Sequence, residues 1–386
     1  MASGAPANKV EYFELFFDLV YVFILIQITA TIAADGTLLG ILHGLVVLLL
    51  VWVIWVAFSA FAALGLPPGA TRDWRPLVWA VAMALLLLLG LTTPEAFWKD
   101  NKIFAFSYLV LAAMALGGQV VVTRHDKTTS RAILKRSALG MALPVALVIS
   151  AYLPTMEQSV ALIAVGLILT LLASVVFRVQ TAPLSPNYTA ERNSLFMLIV
   201  MGEMIISLGL GAAKAGISTV LILCVLASFA LVVLLWRQYY TGVLLTGESR
   251  MEDISGRQLL SFARVGYTYL HFVMIAGLVL TAVSLKTLMA GVAGTLPDLL
   301  EFFLGIGLAV YVLGTVAFAL AARARVRRLA YVSVVLLALL SIFGPQVSTP
   351  LFVLLAVVAT AIGVDPRVWK MRAPFALSNA TDPGVR

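Results

Sequence analysis

Runs of roughly 20 apolar residues, separated by short polar stretches, recur along most of this chain. They fall at 12–34, 38–65, 76–94, 103–123, 138–154, 158–178, 193–213, 216–237, 259–285, 299–322, 329–344 and 349–364. The runs are continuously apolar and do not alternate, so they read as helices rather than barrel strands. The pattern predicts an all-α fold: a polytopic membrane helix bundle of about twelve transmembrane helices. Residues 1–386 read as one membrane domain, with parallel six-helix halves at 1–178 and 190–364 and a cytoplasmic tail at 365–386. Glu11, Glu14 and Asp18 interrupt the first run, and no small-residue cleavage site closes it, so it is expected to stay in the mature protein.

Composition narrows the class. Hydrophobic residues make up 62% of the 386 and charged residues 11%. A soluble domain sits nearer about 45–50% and 25%. That excludes a cytosolic enzyme and a disordered chain, and a single cysteine, Cys224, excludes a disulfide scaffold. The net charge of +8 is explained by where the basic residues fall. With the N-terminus inside, 22 of the 26 Lys and Arg lie on the cytoplasmic side, and only Lys99, Lys102, Lys214 and Lys286 lie outside. Both termini are therefore expected in the cytoplasm. The basic residues are topology signals and anionic-lipid contacts, with no nucleic-acid partner implied. Aromatic residues near run ends, among them Trp74, Trp98, Trp236, Tyr239, Tyr240 and Trp369, read as interfacial belts. The stretch 238–258 is too short for a soluble domain.

Candidate chemistry lies in the few polar residues at bilayer depth, because a charge there costs at least about 2.5–3.5 kcal/mol. Of 18 acidic residues, Glu14, Asp18 and Glu203 fall well inside predicted spans, with Glu11 at a span entrance and Glu301 close to one. Glu11, Glu14, Asp18 and Tyr21 are spaced 3, 4 and 3, which places them on one helix face with Thr29 near its continuation. Two carboxylates one turn apart repel when both are ionised, so they must hold a proton or share a cation. In the seventh span Arg192, Glu203 and Ser207 share a face, Glu191 stands at the entrance, and Gly202 beside Glu203 leaves room for a backbone or ligand. In the ninth, Arg264, Tyr267 and His271 share a face. Asp18, Glu203 and His271 are the expected proton relay or acid, and Glu14, Tyr21, Glu191, Arg192, Ser207, Arg264 and Tyr267 the expected substrate contacts. The three groups are expected to converge on one cavity, with Arg192 in salt-bridge reach of Glu14 or Glu11.

Three histidines and one cysteine have no zinc spacing, and no cofactor can be named. A weak metal option is Mg²⁺ on Glu14 and Asp18. Phosphate-loop, G-x-S-x-G and H-E-x-x-H motifs are absent from the sequence.

These residues resemble the bacterial low-temperature-requirement A family of multi-pass membrane proteins. The matching segments are Glu14-Leu-Phe-Phe-Asp-Leu-Val-Tyr-Val-Phe23 followed by Gln27, then Glu191-Arg192 with Leu-Phe and Gly202-Glu203, then His271. Met201 departs from the Leu more frequent there, and Asn193 and Ser194 stand where an aromatic or small residue is common. The resemblance implies a polytopic helical fold and points at Glu14, Asp18, Glu191, Arg192, Glu203 and His271. It supplies no substrate. Three functions stay open: a proton-coupled secondary transporter or permease, an intramembrane enzyme on a lipid, isoprenoid or other apolar substrate, and a membrane sensor without turnover.

Overall fold

The computed structural model describes residues 10–64, 74–96, 101–176, 185–291 and 298–364. Among them lie twelve apolar helices: α1 (Tyr12–Asp35), α2 (Leu38–Ala63), α3 (Arg75–Leu91), α4 (Lys102–Thr123), α5 (Lys127–Ser150), α6 (Met156–Val176), α7 (Pro186–Ala212), α8 (Thr219–Glu252), α9 (Gly256–Ala290), α10 (Asp298–Ala321), α11 (Arg328–Phe343) and α12 (Thr349–Gly363). Eight are long and apolar enough to cross a membrane, and α3, α6, α11 and α12 contain shorter apolar segments. No strand occurs among the described residues. The predicted polytopic helix bundle is the fold.

Two boundaries differ most from the hydropathy reading. α5 begins at Lys127, not 138, because the Asp126 side chain accepts hydrogen bonds from the Thr128 and Thr129 amides at 3.0 and 3.3 Å and caps it. α8 continues to Glu252, so most of the expected 238–258 loop is helical. It does so through a π-helical segment, Tyr239–Val243, and α9 carries a second one at Ala263–Leu270. Such wider turns concentrate at functional sites. Side-chain caps at Thr37, Ser185 and Ser218 open α2, α7 and α8, and Gly36 ends α1 in the left-handed region at φ 64°.

The packing order recurs along the chain. α1 packs on α2 and α3, α3 on α4, α4 on α5 and α5 on α6. α7 then packs on α8 and α9, α9 on α10, α10 on α11 and α11 on α12. α1, α7 and α9 form a mutually packed trio where the two series meet.

Candidate functional site

The seam between α1 and α7 carries a row of buried polar residues. Arg192 donates from both terminal nitrogens to Asp18, at 2.6 Å to Oδ2 and 2.7 Å to Oδ1. Trp55 of α2 donates its indole N–H to the same Oδ1 at 2.9 Å, and its ring lies 5.5 Å from the guanidinium carbon. Glu14 accepts the Tyr188 hydroxyl at 2.5 Å, and the same Oε2 lies 3.6 Å from Arg192 Nε. Asp18 is wholly buried and Arg192 almost so. The i, i+4 carboxylates thus share one cation, and that cation is the Arg192 guanidinium. Asp18 has each oxygen taken by Arg192, so the Mg²⁺ option meets an occupied carboxylate.

Farther along the seam, Glu203 Oε1 accepts from Thr29 Oγ1 at 2.9 Å and from Ser207 Oγ at 2.6 Å. Its Oε2 is buried with no hydrogen-bond partner. Gly202 beside it leaves open space, since a Cβ there would meet nothing within 4 Å. It is therefore no close-approach point for another backbone.

His271 forms a third cluster. Its Nδ1 lies 2.8 Å from the Gly266 carbonyl, which only accepts, so Nδ1 carries the proton and donates. Nε2 then accepts from the Tyr239 hydroxyl at 2.9 Å. Tyr267 stacks on the ring with centroids 5.0 Å apart, and its own hydroxyl is buried without a partner. Both aromatic partners come from the π-helical segments of α8 and α9. Tyr239, bonded to His271, is buried rather than interfacial, and so is Tyr240, which donates to the Ser194 carbonyl at 2.6 Å. Trp236 keeps the partial exposure of a belt residue. Trp98 and Trp369 lie outside the described residues.

α1, α7 and α9 do pack together, but Asp18 and Glu203 do not meet. Asp18–Arg192 and Thr29–Glu203 are eleven residues apart on both helices. At 1.5 Å per residue that is roughly 16 Å, beyond direct interaction. Asp18 and Glu203 thus stand at different depths of one seam, while His271 is bonded to Tyr239 and Gly266 and reaches the Arg192 cavity only through the stacked Tyr267. Glu191 is exposed and apart from them, and Glu11 pairs with Arg75 at 3.1 Å. Tyr21 is wholly buried with its hydroxyl unpartnered, one turn beyond Asp18.

A cavity of about 320 Å³ opens beside the first centre. Its lining includes Tyr188, Arg192, Trp52 and Trp55 together with Arg136, Arg264 and Tyr267. It lies where α2 and α6 end and α7 and α9 begin, the face that the basic-residue pattern assigns to the cytoplasm. Sequence reasoning missed Trp55, Tyr188 and Arg136 as parts of this site. Tyr188 carried a usable signal, since it lies four residues before Arg192 and so one turn along the same face. Among the described residues, no group of three or more His, Cys, Asp or Glu could hold a metal ion.

The family model described as bacterial low temperature requirement A protein matches residues 9–364, and the chain belongs to that family. It is also similar to an uncharacterized protein of Rhizobium meliloti (strain 1021), at 26% identity over 302 residues, covering 72% of this chain and 68% of that one. No solved structure matches it.

Proposed function

We propose that this member of the low temperature requirement A family is a secondary transporter built from two parallel six-helix halves, moving a small-molecule or lipid-like solute along the α1–α7 seam. One observation carries the reading. Glu14–Tyr188, Asp18–Arg192 and Thr29–Glu203 all differ by 174 in sequence number. α1 and α7 therefore run parallel in fixed register, with polar pairs at successive depths between the halves. In transporters built from repeats, the solute and coupling-ion sites lie at the repeat interface. The seam brings Glu14, Asp18 and Arg192 to the cavity end and Glu203 deeper in the membrane. In this reading Glu203, with a free buried oxygen, takes up or releases the coupling proton, and the Asp18–Arg192 pair opens and closes the cytoplasmic access.

Proteoliposomes carrying a pH-sensitive dye test it. Solutes from a metabolite extract, imposed across the membrane, should drive saturable proton flux in the parent. Glu203→Gln should lower that flux roughly tenfold or more, the usual size of a lost proton-transfer step. Unchanged flux in both Glu203→Gln and Asp18→Asn would remove the seam from the mechanism. The Tyr188, Glu14 and Arg192 cluster beside the cavity favours a second reading, an intramembrane enzyme acting on an apolar substrate. Product formed from an extract by purified protein, and lost in Asp18→Asn, would support that reading instead.

The orientation is part of the proposal: both termini face the cytoplasm of a cell-membrane protein. Reporter fusions after Arg136 and Arg328 should read cytoplasmic, and fusions near Gln158 and Lys286 external. An external reading at Arg136 would reverse the assignment, because the segment 124–136 carries the densest basic cluster before α6.

A further inference from the structure

Arg136 and Arg264 stand out once the ion pairs are assigned. Three arginines line the 320 Å³ cavity and, among the described residues, no acidic residue does. Arg192 is neutralised by Asp18. Arg136 makes one hydrogen bond, from a terminal nitrogen to Gln119 Oε1 at 2.9 Å, and Gln119 in turn donates to the Ala57 carbonyl. Neither Arg136 nor Arg264 has an ion pair among the described residues. A guanidinium offers five N–H donors, so most of the hydrogen-bonding capacity at this wall is unspent. Two like charges facing one cavity with low-dielectric walls also raise each other's energy, and an anion between them relieves that cost.

The walls away from the arginines describe the rest of the ligand. Val53, Val56, Ala60, Arg136 and Thr170 also line a second chamber of about 160 Å³. That chamber continues between α2, α4, α5 and α6 against Ile54, Ala112, Leu116, Leu143 and Pro144. Arg136 stands at the junction and, among the described residues, is the second chamber's only charged one. The larger cavity falls in the size range of small-molecule sites, about 300–1,000 Å³.

We propose that the two chambers hold an amphiphilic anion, with its phosphate or carboxylate head between Arg136 and Arg264 and its hydrocarbon part in the apolar chamber. This rests on the transport reading only for the ligand's fate as cargo. The binding site stands on the arginines and the chamber. The head can belong to a membrane lipid or to a free alkyl phosphate or fatty acid, which present the same chemistry.

Calorimetric titration of the full-length protein in phosphatidylcholine nanodiscs tests it, with octyl phosphate as the probe. One saturable site is expected, weakened roughly tenfold or more by Arg264→Gln and by Arg136→Gln, as for loss of a charge-assisted hydrogen bond. Octyltrimethylammonium should give no saturable heat, and inorganic phosphate should bind far more weakly than octyl phosphate. Arg264→Gln should melt no lower than the parent, because it removes a like charge and breaks no ion pair. Arg264→Lys should restore part of the binding. Nanodiscs containing phosphatidylglycerol separate the sources: a lipid occupant weakens apparent octyl phosphate binding, and an unchanged titration assigns the site to a free anion. Octyl phosphate binding equally to parent and both glutamine variants, or equal binding of the cation, would overturn the proposal. Octyl phosphate binding without any flux would leave this site standing and remove the transport reading. Flux of a cationic solute by protein that binds no octyl phosphate would do the reverse.

Discussion

Replacing Arg192 with methionine should cost about 3–5 kcal/mol of stability, the usual penalty for stripping the partner from a buried charge. The Asp18 carboxylate is fully buried, and two of its three hydrogen-bond donors come from Arg192. Without that guanidinium, the Trp55 indole alone faces it. The expected readouts are a large drop in the detergent melting temperature and poor recovery of folded protein. A double variant, Asp18→Leu with Arg192→Met, should regain most of the loss, because apolar replacement of a whole buried pair is often neutral or stabilising. The comparison isolates the unpaired charge as the cause. An Arg192→Met protein melting like the parent would mean that water reaches Asp18, which would contradict its burial.

The second large effect is expected where α9 meets α10. A Cβ at Gly277 would lie 2.6 Å from the Gly307 carbonyl oxygen and 2.6 Å from the Tyr311 amide nitrogen. Gly307 is equally tight, with a Cβ 2.7 Å from Thr281 Oγ1 and 2.8 Å from the Gly277 oxygen. Backbone atoms cannot rotate aside as a side chain can, so α10 must move outward as a body. Small residues that let backbones approach are the means by which membrane helices associate. Gly277→Ala should cost about 1–3 kcal/mol, and Gly277→Leu enough to prevent accumulation of folded protein. Gly202→Ala is the control. It has open space at Cβ and should leave the melting temperature within about a degree, within the small range typical of tolerated sites. Equal melting of Gly277→Ala and Gly202→Ala would refute the close α9–α10 contact.

The helices were legible because bilayer depth imposes a length and an apolarity on each crossing. The residues near Asp126 and beyond Gln238 were misjudged for the opposite reason: a helix continues past the bilayer edge as long as caps and partners satisfy its backbone, and hydropathy is blind to that. The face shared by Glu14, Asp18 and Tyr21 was legible from a 3.6-residue period. Its pairing with α7 was half legible. Aligning the two halves on like residues, Glu14 with Glu191, is three residues out of register with the observed 174 offset, because the seam pairs unlike residues. Arg192 lies in salt-bridge reach of Glu14, at 3.6 Å, as expected, and makes its shorter bonds to Asp18, one turn deeper. Convergence of Asp18, Glu203 and His271 failed because a helical phase fixes the face a residue shares and says nothing of the distance along the axis. The role of Arg136 was illegible, since nothing local places the start of α5 beside Arg264 of α9.

The constant offset along the α1–α7 seam also bears on ancestry. If each half descends from one ancestral six-helix protein, position 18 and position 192 are counterparts, and in a homodimer of that ancestor they would meet across the two-fold axis as identical residues. Asp would then have faced Asp, or Arg would have faced Arg, at a depth where neither is tolerable. The Asp18–Arg192 bond, like Glu14–Tyr188 and Thr29–Glu203, requires two copies of the helix that mutate independently. Under that descent, duplication of the helix is a precondition of the charge pair, and reversion to a symmetric dimer is closed for as long as that pair is kept.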